Sequence, residues 1–382
     1  MERTGPLDDL LEEENFDGFL MRGDSSDPDM YYLAGFEASD PFIYLRTGGK
    51  SILLVPQLEF SRAKDEAEAD EVISTSEFVD GESRGEGGRA DMIAGVLERY
   101  GIERLAVPED FPLGLAEELS GKVDIEPVEN RVMEARKLKT ESEVEKLEEA
   151  QSVTEEAMQE MERMLEEAES RDGELYLEDE PLTSERARRK LQVFLLEHDC
   201  TTPEGTIVAC GEDGAKPHSR GSGVLEEGKP VVVDIFPRHG NGYFGDMTRT
   251  FVKGEPGEKT ENMHCAVKKA KEAALTEIEA GVKAVEVHSA VCDVLEEHGF
   301  DTMRKGAEEE GFIHSTGHAV GLELHEPPRI ADSDTELEAG NVLTIEPGLY
   351  YRDTGGVRIE DMILVTEDGY ENFNSMRENL RV

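Results

Sequence analysis

The chain has 382 residues and carries 88 Asp and Glu against 40 Lys and Arg, a net charge of −48 at pH 7. Such a polyanion repels nucleic-acid phosphates and anionic lipid headgroups, which excludes both as expected partners. The hydrophobic fraction is only 37 %, yet the apolar residues come in ordered clusters, so the chain reads as folded with an extremely acidic surface. No apolar stretch follows a basic start, and the longest apolar runs, 51–55 and 231–236, fall far short of a membrane span. A soluble cytoplasmic protein is the expectation. Cys200, Cys210, Cys265 and Cys292 are widely spaced without a CxxC, and read as free or buried thiols.

In chain order, residues 18–21, 43–45, 51–55, 71–74 and 104–107 read as strands. Residues 10–14, 60–65, 90–100 and 112–119 read as helices. This alternation predicts an α/β domain over 1–135 with a partly parallel sheet. Residues 80–89 read as a Gly- and charge-rich loop, and the whole segment holds neither His nor Cys. A second domain, 136–382, opens with a long amphipathic helix over 141–168, where Met161 and Met164 read as core filler. An acidic loop over 170–181 and a helix over 184–198 follow. Strands and tight turns come next, interrupted by helices over 259–279 and 284–298. The helix ends LLEH (195–198) and LEEH (295–298) echo each other, and each precedes a His-bearing segment, at His218 and His318. The echo fits two similar halves facing a shared site.

Five segments of this second domain combine His or carboxylates with strand or turn contexts. Asp234 ends the run VVVD, and Asp246 opens DMTRT after a turn. An acid on a Val-rich strand is costly to bury without cationic compensation. In a chain with 88 acids, any one of them alone reads equally as a solvated strand end. Three of the 9 His fall within HSTGHAVGLELHEPP, at His314, His318 and His325. Glu346 interrupts TIEPGLY and Glu360 interrupts VRIED, while His218 sits on a turn. Two Asp, two Glu and one imidazole form an oxygen-rich set. That set suits a pair of borderline divalent ions such as Mn²⁺, Co²⁺ or Zn²⁺.

These segments resemble the "pita-bread" metallopeptidases of the creatinase, prolidase and methionine aminopeptidase family. The match runs from about residue 137 to the C-terminus. The first domain resembles the creatinase-type N-terminal domain, with MYYLAGF (30–36) carrying the likeness. The resemblance implies an α+β fold in which a pita-bread catalytic domain with pseudo-twofold halves follows the α/β N-terminal domain. It implies that Asp234, Asp246, His318, Glu346 and Glu360 hold two divalent ions, Mn or Co first, Zn or Fe next. Asp246 and Glu360 match the bridging carboxylates. His218 and His325 match histidines that contact substrate and stabilise the tetrahedral intermediate, and Glu346 the residue that shuttles the proton. His314 and Arg358 match pocket residues, with Thr248 and Thr344 as hydrogen-bonding partners behind the ligands.

The implied activity is removal of the N-terminal residue from Xaa-Pro peptides by hydroxide held between the two ions. The substrate is a peptide or dipeptide with Pro second, and the enzyme a homodimer. A prolidase restricted to dipeptides stays open beside the aminopeptidase. So do a creatinase-like C–N hydrolase and a non-catalytic binding protein, although such relatives lose the ligands. Three positions depart from the family pattern: Phe236 in place of Gly, an Asp234–Asp246 spacing one residue longer than usual, and Ser315 in place of Gly. Phe236 and Arg238 are expected to reshape the pocket. His198, His264, His288 and His298 read as structural, and His239 as a loop residue near the site. The charge of −48 predicts that the protein needs high salt to stay folded. Its thermal midpoint should rise from dilute buffer to molar KCl, and an unmoved midpoint would contradict this.

Overall fold

Short apolar runs in the first third of the chain become strands, and the amphipathic stretches between them become helices. In this computed structural model, which describes residues 3–78, 87–129 and 131–382, the chain divides into two compact units, Met1–Arg136 and Lys137–Val382. The first unit carries α1 (Gly5–Glu13), β1 (Gly18–Gly23), α2 (Pro28–Ala34), β2 (Phe42–Thr47), β3 (Lys50–Val55), α3 (Phe60–Glu66) and β4 (Glu71–Ser74). It continues with α4 (Gly87–Tyr100), β5 (Arg104–Pro108), α5 (Leu113–Leu119), β6 (Asp124–Val128) and α6 (Val132–Lys137), whose last residue opens the second unit. The strand order is β4-β3-β2-β1-β5-β6. β1–β5, β5–β6 and β3–β4 run parallel, and β1–β2 and β2–β3 antiparallel, so the sheet is partly parallel as expected.

Sequence reasoning missed α2, β6 and α6. The signals for α2 are present: Asp27 Oδ1 accepts from the N–H groups of Asp29 and Met30 at 2.9 and 3.2 Å, Pro28 opens the helix, and Gly35 closes it at φ +55°. Of the loop expected over 80–89, residues 80–86 lie outside the described residues, and 87–89 already belong to α4.

The second unit opens with α7 (Glu141–Glu167). Glu143 fixes its start by accepting from the Thr140 N–H at 2.9 Å and hydroxyl at 2.7 Å. Then come β7 (Glu169–Arg171), β8 (Glu174–Leu177), β9 (Glu180–Pro181), α8 (Ser184–Glu197), β10 (Cys200–Thr201), β11 (Thr206–Cys210), β12 (Val231–Ile235), β13 (Arg238–His239) and β14 (Met247–Phe251). The acidic loop expected over 170–181 is instead the meander β7-β8-β9. Leu175 and Leu177 alternate into the core, and both turns carry paired positive φ values, Asp172-Gly173 and Glu178-Asp179. Acidic neighbours hid a period-two pattern.

The second half adds α9 (Glu258–Thr276), α10 (Ala284–Glu297), β15 (Gly317–Ala319), β16 (Glu326–Ile330), β17 (Val342–Ile345), β18 (Gly348–Tyr351), β19 (Gly355–Arg358), β20 (Asp361–Thr366) and β21 (Gly369–Asn372). One core joins α7 and α8 to the sheet β11-β12-β14, through residues such as Met161, Leu191 and Val233. A second joins α9 and α10 to the sheet β16-β15-β17-β20-β21, through Val267, Val291 and Leu343. Each half is thus two helices on an antiparallel sheet. The LLEH and LEEH echo has a local counterpart: His198 Nδ1 meets Phe194 O, and His298 Nδ1 meets Val294 O, each at 2.8 Å and each closing its helix.

The two halves are riveted by buried charge. Arg249 on β14 donates to Asp361 Oδ1 on β20 at 2.7 Å, and Lys271 on α9 pairs with both Asp361 and Glu378. Burial opposes the charge on Asp361, but Lys271 and Arg249 hold its carboxyl below the usual range. Removing one partner of such a pair strands charge in the interior, so Lys271→Met should cost about 3–5 kcal/mol by chemical denaturation. A loss below about 1 kcal/mol, the range of exposed pairs, would contradict this assignment.

Candidate metal centre

Four strands with an acid on them or beside an end, and one bulge, converge on a cleft of about 580 Å³ in the second unit. Asp234 lies on β12, whose five residues are all buried, opposite Thr248 of β14. Asp246 precedes β14, and its backbone is clamped by one side chain: Gln151 Oε1 accepts from Asp246 N at 2.8 Å, and Gln151 Nε2 donates to Asp246 O at 2.7 Å. His318 sits where the pairing of β15 with β16 shifts register, a device that re-aims a side chain. Gly317 makes this possible, because a Cβ there would stand 1.8 Å from Thr344 O. Glu346 follows β17 with its N–H on Thr316 O, and Glu360 precedes β20 with its N–H on Thr248 O.

The expected ligands meet. Asp246, His318 and Glu360 offer donor atoms that all lie within 4.8 Å of one another. His318 Nε2 stands 3.7 Å from Asp246 Oδ2 and 3.6 Å from Glu346 Oε1. Asp234, Asp246, Glu346, Glu360 and His318 all line the cleft, as do His218, His325, His314 and Arg358. Thr248 and Thr344 are fully buried. Thr248 donates to Glu360 Oε2 at 2.7 Å, and the Thr344 hydroxyl accepts from His318 N at 3.2 Å.

Arg358, 5 % exposed, organises the wall opposite. It pairs with Asp234 Oδ2, and donates to the Thr248 hydroxyl at 3.0 Å and the Tyr350 hydroxyl at 2.9 Å. Tyr350 lies 3.0 Å from His314 Nε2, and His314 Nδ1 lies 2.7 Å from Ser315 O. A carbonyl accepts only, so His314 carries its proton on Nδ1 and takes the tyrosine's on Nε2. Burial works against the Arg358 charge, yet Tyr350, Asp234, Glu346 and Glu360 hold it firmly protonated.

The electrostatics test whether divalent ions fit here. Burial, then neighbouring like charges, pushes Asp246 and Glu360 well above the carboxylate range. Burial raises Asp234 too, although Arg358 opposes it, and lifts Glu346 to about 7. One guanidinium does not compensate four carboxylates. Asp234 Oδ1 is buried with no hydrogen-bond partner, a costly state that a cation relieves. Burial, then His325, lowers His318 to about 3, so its imidazole is neutral. Its Nδ1 faces Ala319 O at 3.2 Å, which leaves the Nε2 lone pair turned toward the acids. The residues therefore fit a divalent pair.

Some expectations need adjustment. Phe236 lines the cleft, but Arg238 and His239 do not. They form β13, which pairs with β10, so the long Asp234–Asp246 connection leaves the hairpin and joins another strand. Sequence reasoning overlooked Gln151, Tyr350 and Arg329. Tyr350 stood inside the motif TIEPGLY, and Arg329 lies four residues after His325 and lines the same cleft. Gln151 carried no signal on a helix of acids. Among the structural histidines, His288 is buried on α10 with Nδ1 2.8 Å from the Thr316 hydroxyl. The cysteines are free thiols, and Cys200 and Cys292 are buried. No helix among the described residues is long and apolar enough to cross a membrane.

Asp246, His318 and Glu360 thus form a candidate metal site between two helix-on-sheet halves. Metallopeptidase family M24 matches residues 145–367, more than half of the chain, and the chain belongs to that family. The creatinase/prolidase N-terminal domain matches residues 3–138. An Xaa-Pro dipeptidase of Pyrococcus horikoshii is 30 % identical, covering 99 % of this chain and 98 % of its own. The solved Xaa-Pro dipeptidase from Bacillus anthracis superposes with a TM-score of 0.83 at 28 % identity, covering 100 % of this chain and 99 % of its own. The X-Pro aminopeptidase from Thermotoga maritima does so at 0.80 and 28 %, covering 98 % and 100 %.

The raised carboxylates set a pH dependence. Without metal, the folded protein holds protons that the unfolded chain releases in the ordinary carboxylate range. Metal-free stability therefore falls as pH rises from that range to about 7, where Glu346 titrates. Divalent ions displace those protons, so apparent affinity rises over the same window. The Tm gain on adding Mn²⁺ should be larger at pH 7.5 than at pH 5.5, and an equal gain at both would contradict the cluster's role.

Proposed function

We propose that this chain is a metal-dependent exopeptidase that hydrolyses the bond between an N-terminal residue and proline. The observation that carries this reading is that Asp234, Asp246, His318 and Glu360, all buried, share one cleft with Glu346, His218 and His325. The five side chains would hold two divalent ions, which when bound would polarise the scissile carbonyl and lower the pKa of the attacking water. Mn²⁺ or Co²⁺ is the proposed pair, ahead of Zn²⁺ or Fe²⁺, because four oxygens and one imidazole suit borderline ions.

The protein's own groups do the rest. Glu346 takes a proton from the attacking water and passes it to the prolyl nitrogen. Burial and then the charge of Arg329 lower the pKa of His325. It therefore serves as a neutral hydrogen-bond donor to the developing oxyanion, with His218 beside it. Arg358 fixes Asp234 against Thr248 and Tyr350, so that ligand needs no reorganisation during the reaction.

The dipeptidase form of this activity is favoured over the aminopeptidase form by Arg329. Its guanidinium lines the cleft beside His325 and matches the free carboxylate that a dipeptide presents right after proline. The names of the full-length relatives from Pyrococcus horikoshii and Bacillus anthracis support the same choice. The family resemblance implies a homodimer, and the charge of −48 supports a high-salt habitat.

The test is product analysis on an Xaa-Pro dipeptide and on an Xaa-Pro tripeptide amide, with Mn²⁺, in low and high salt. Losing a charge-assisted hydrogen bond costs about 1.5–3 kcal/mol, so Arg329→Ala should raise KM for the dipeptide by about 10- to 100-fold. The tripeptide amide, which lacks the nearby carboxylate, should be hydrolysed far more slowly than the dipeptide by the parent enzyme and no more slowly by the variant. Equal losses on both would remove Arg329 from carboxylate recognition. No hydrolysis of either by the parent enzyme would overturn the function.

A further inference from the structure

The last ten residues of the chain have no helix and little strand, yet one of them reaches behind the candidate metal centre. Asn374 Oδ1 accepts two hydrogen bonds at once. One comes from Gln151 Nε2 at 3.0 Å, and the other from the backbone N–H of Met362 at 2.8 Å. Gln151 is fully buried and is the same side chain that clamps both the N–H and the carbonyl of Asp246. Met362 lies two residues after Glu360. Asn374 Nδ2 faces the sulfur of Met247, the residue after Asp246, at 3.4 Å, and Glu155 Oε2 at 3.5 Å.

The neighbouring tail residues hold Asn374 in place. Its own N–H donates to Asn372 Oδ1 at 2.8 Å, and Glu155 on α7 accepts from Ser375 N at 2.7 Å and from the Ser375 hydroxyl at 2.6 Å. Further along, Met376 O accepts from Arg249, the residue that also donates to Glu360 O at 2.5 Å. The tail is therefore wired to both sides of the carboxylate cluster, once through Gln151 to Asp246 and once through Met362 and Arg249 to Glu360.

We infer that Asn374 is a positioning residue that sets the separation of the Asp246 and Glu360 carboxylates from behind, so that the C-terminal tail tunes divalent-ion affinity. This rests on the reading of those two acids as metal ligands. Asp246 and Glu360 immediately precede different strands, β14 and β20. Asn374 is a side chain whose single acceptor oxygen is shared between the hydrogen bonds that serve both. Groups behind a metal's ligands typically change affinity by about 10- to 100-fold when removed.

The experiment is Mn²⁺ titration by calorimetry on the metal-free full-length protein, with circular dichroism and metal-free Tm on the same samples. Asn374→Ala should bind Mn²⁺ at least about tenfold more weakly, with an unchanged far-ultraviolet spectrum. Its kcat should return to the parental value at saturating Mn²⁺, while the half-saturating concentration rises. Gln151→Ala combined with Asn374→Ala should lose less than the sum of the two single losses, because the two residues share the path to Asp246. A lowered metal-free Tm with unchanged Mn²⁺ affinity would make Asn374 merely structural and overturn the inference, as would additive losses in the double variant. If Asn374→Ala fails to fold, the same titration on Asn374→Ser decides. Parental protein that binds no Mn²⁺ would instead overturn the reading of the centre itself.

Discussion

Four carboxylates share one cleft in which Arg358 is the one guanidinium paired with any of them, and they cannot all be ionised there unless further cations join them. Asp234, Asp246 and Glu360 are 7, 4 and 2 % exposed, and burial raises the pKa of each. Coulomb repulsion between such neighbours grows as the dielectric falls, so the arrangement costs folding energy in the absence of metal. The rest of the second unit can be read as the framework that tolerates this cost. Two independent cores hold the strands, and Arg249, Lys271 and Asp361 bind the strand ends behind the acids into a compensated interior network. The uncompensated charge is thus confined to the side that faces the cleft.

That confinement depends on close approach of backbone as much as on charge. Gly317 lets β15 lie against Thr344, which aims His318 at the acids. Gly356 on β19 meets Gly214 so closely that a Cβ would stand 2.0 Å from its carbonyl oxygen, and this seats Arg358 two residues later. Gly245 meets helix α7, with a Cβ position 2.2 Å from the Thr154 hydroxyl, and this lets Gln151 reach the Asp246 backbone. Each glycine stands beside or near a functional side chain and exchanges side-chain volume for placement.

Much of the site was legible in the sequence because its residues break local rules. Asp234 after three valines, Glu346 inside an apolar strand, and three His in twelve residues all demand a reason. What stayed hidden obeys local rules. Gln151 is one polar residue among the acids of α7, and Asn374 sits in a polar tail, so their partners appear only when residues 95 and more than 200 positions apart meet. In the fold, amphipathic helices and Val-rich strands were readable from period alone. The β7-β8-β9 meander was not, because two inward leucines were outnumbered by acids whose charge belongs to the surface. The excess of acids that marks the whole chain therefore masked structure in one place and, at four positions, formed the candidate site.

The most direct measurement is anomalous diffraction from crystals of the protein loaded with Mn²⁺. The account predicts two anomalous peaks among the carboxylates of Asp234, Asp246, Glu346 and Glu360, one of them against His318 Nε2. Mn²⁺ found only on the acidic surface, with the cleft carboxylates left facing each other, would contradict it.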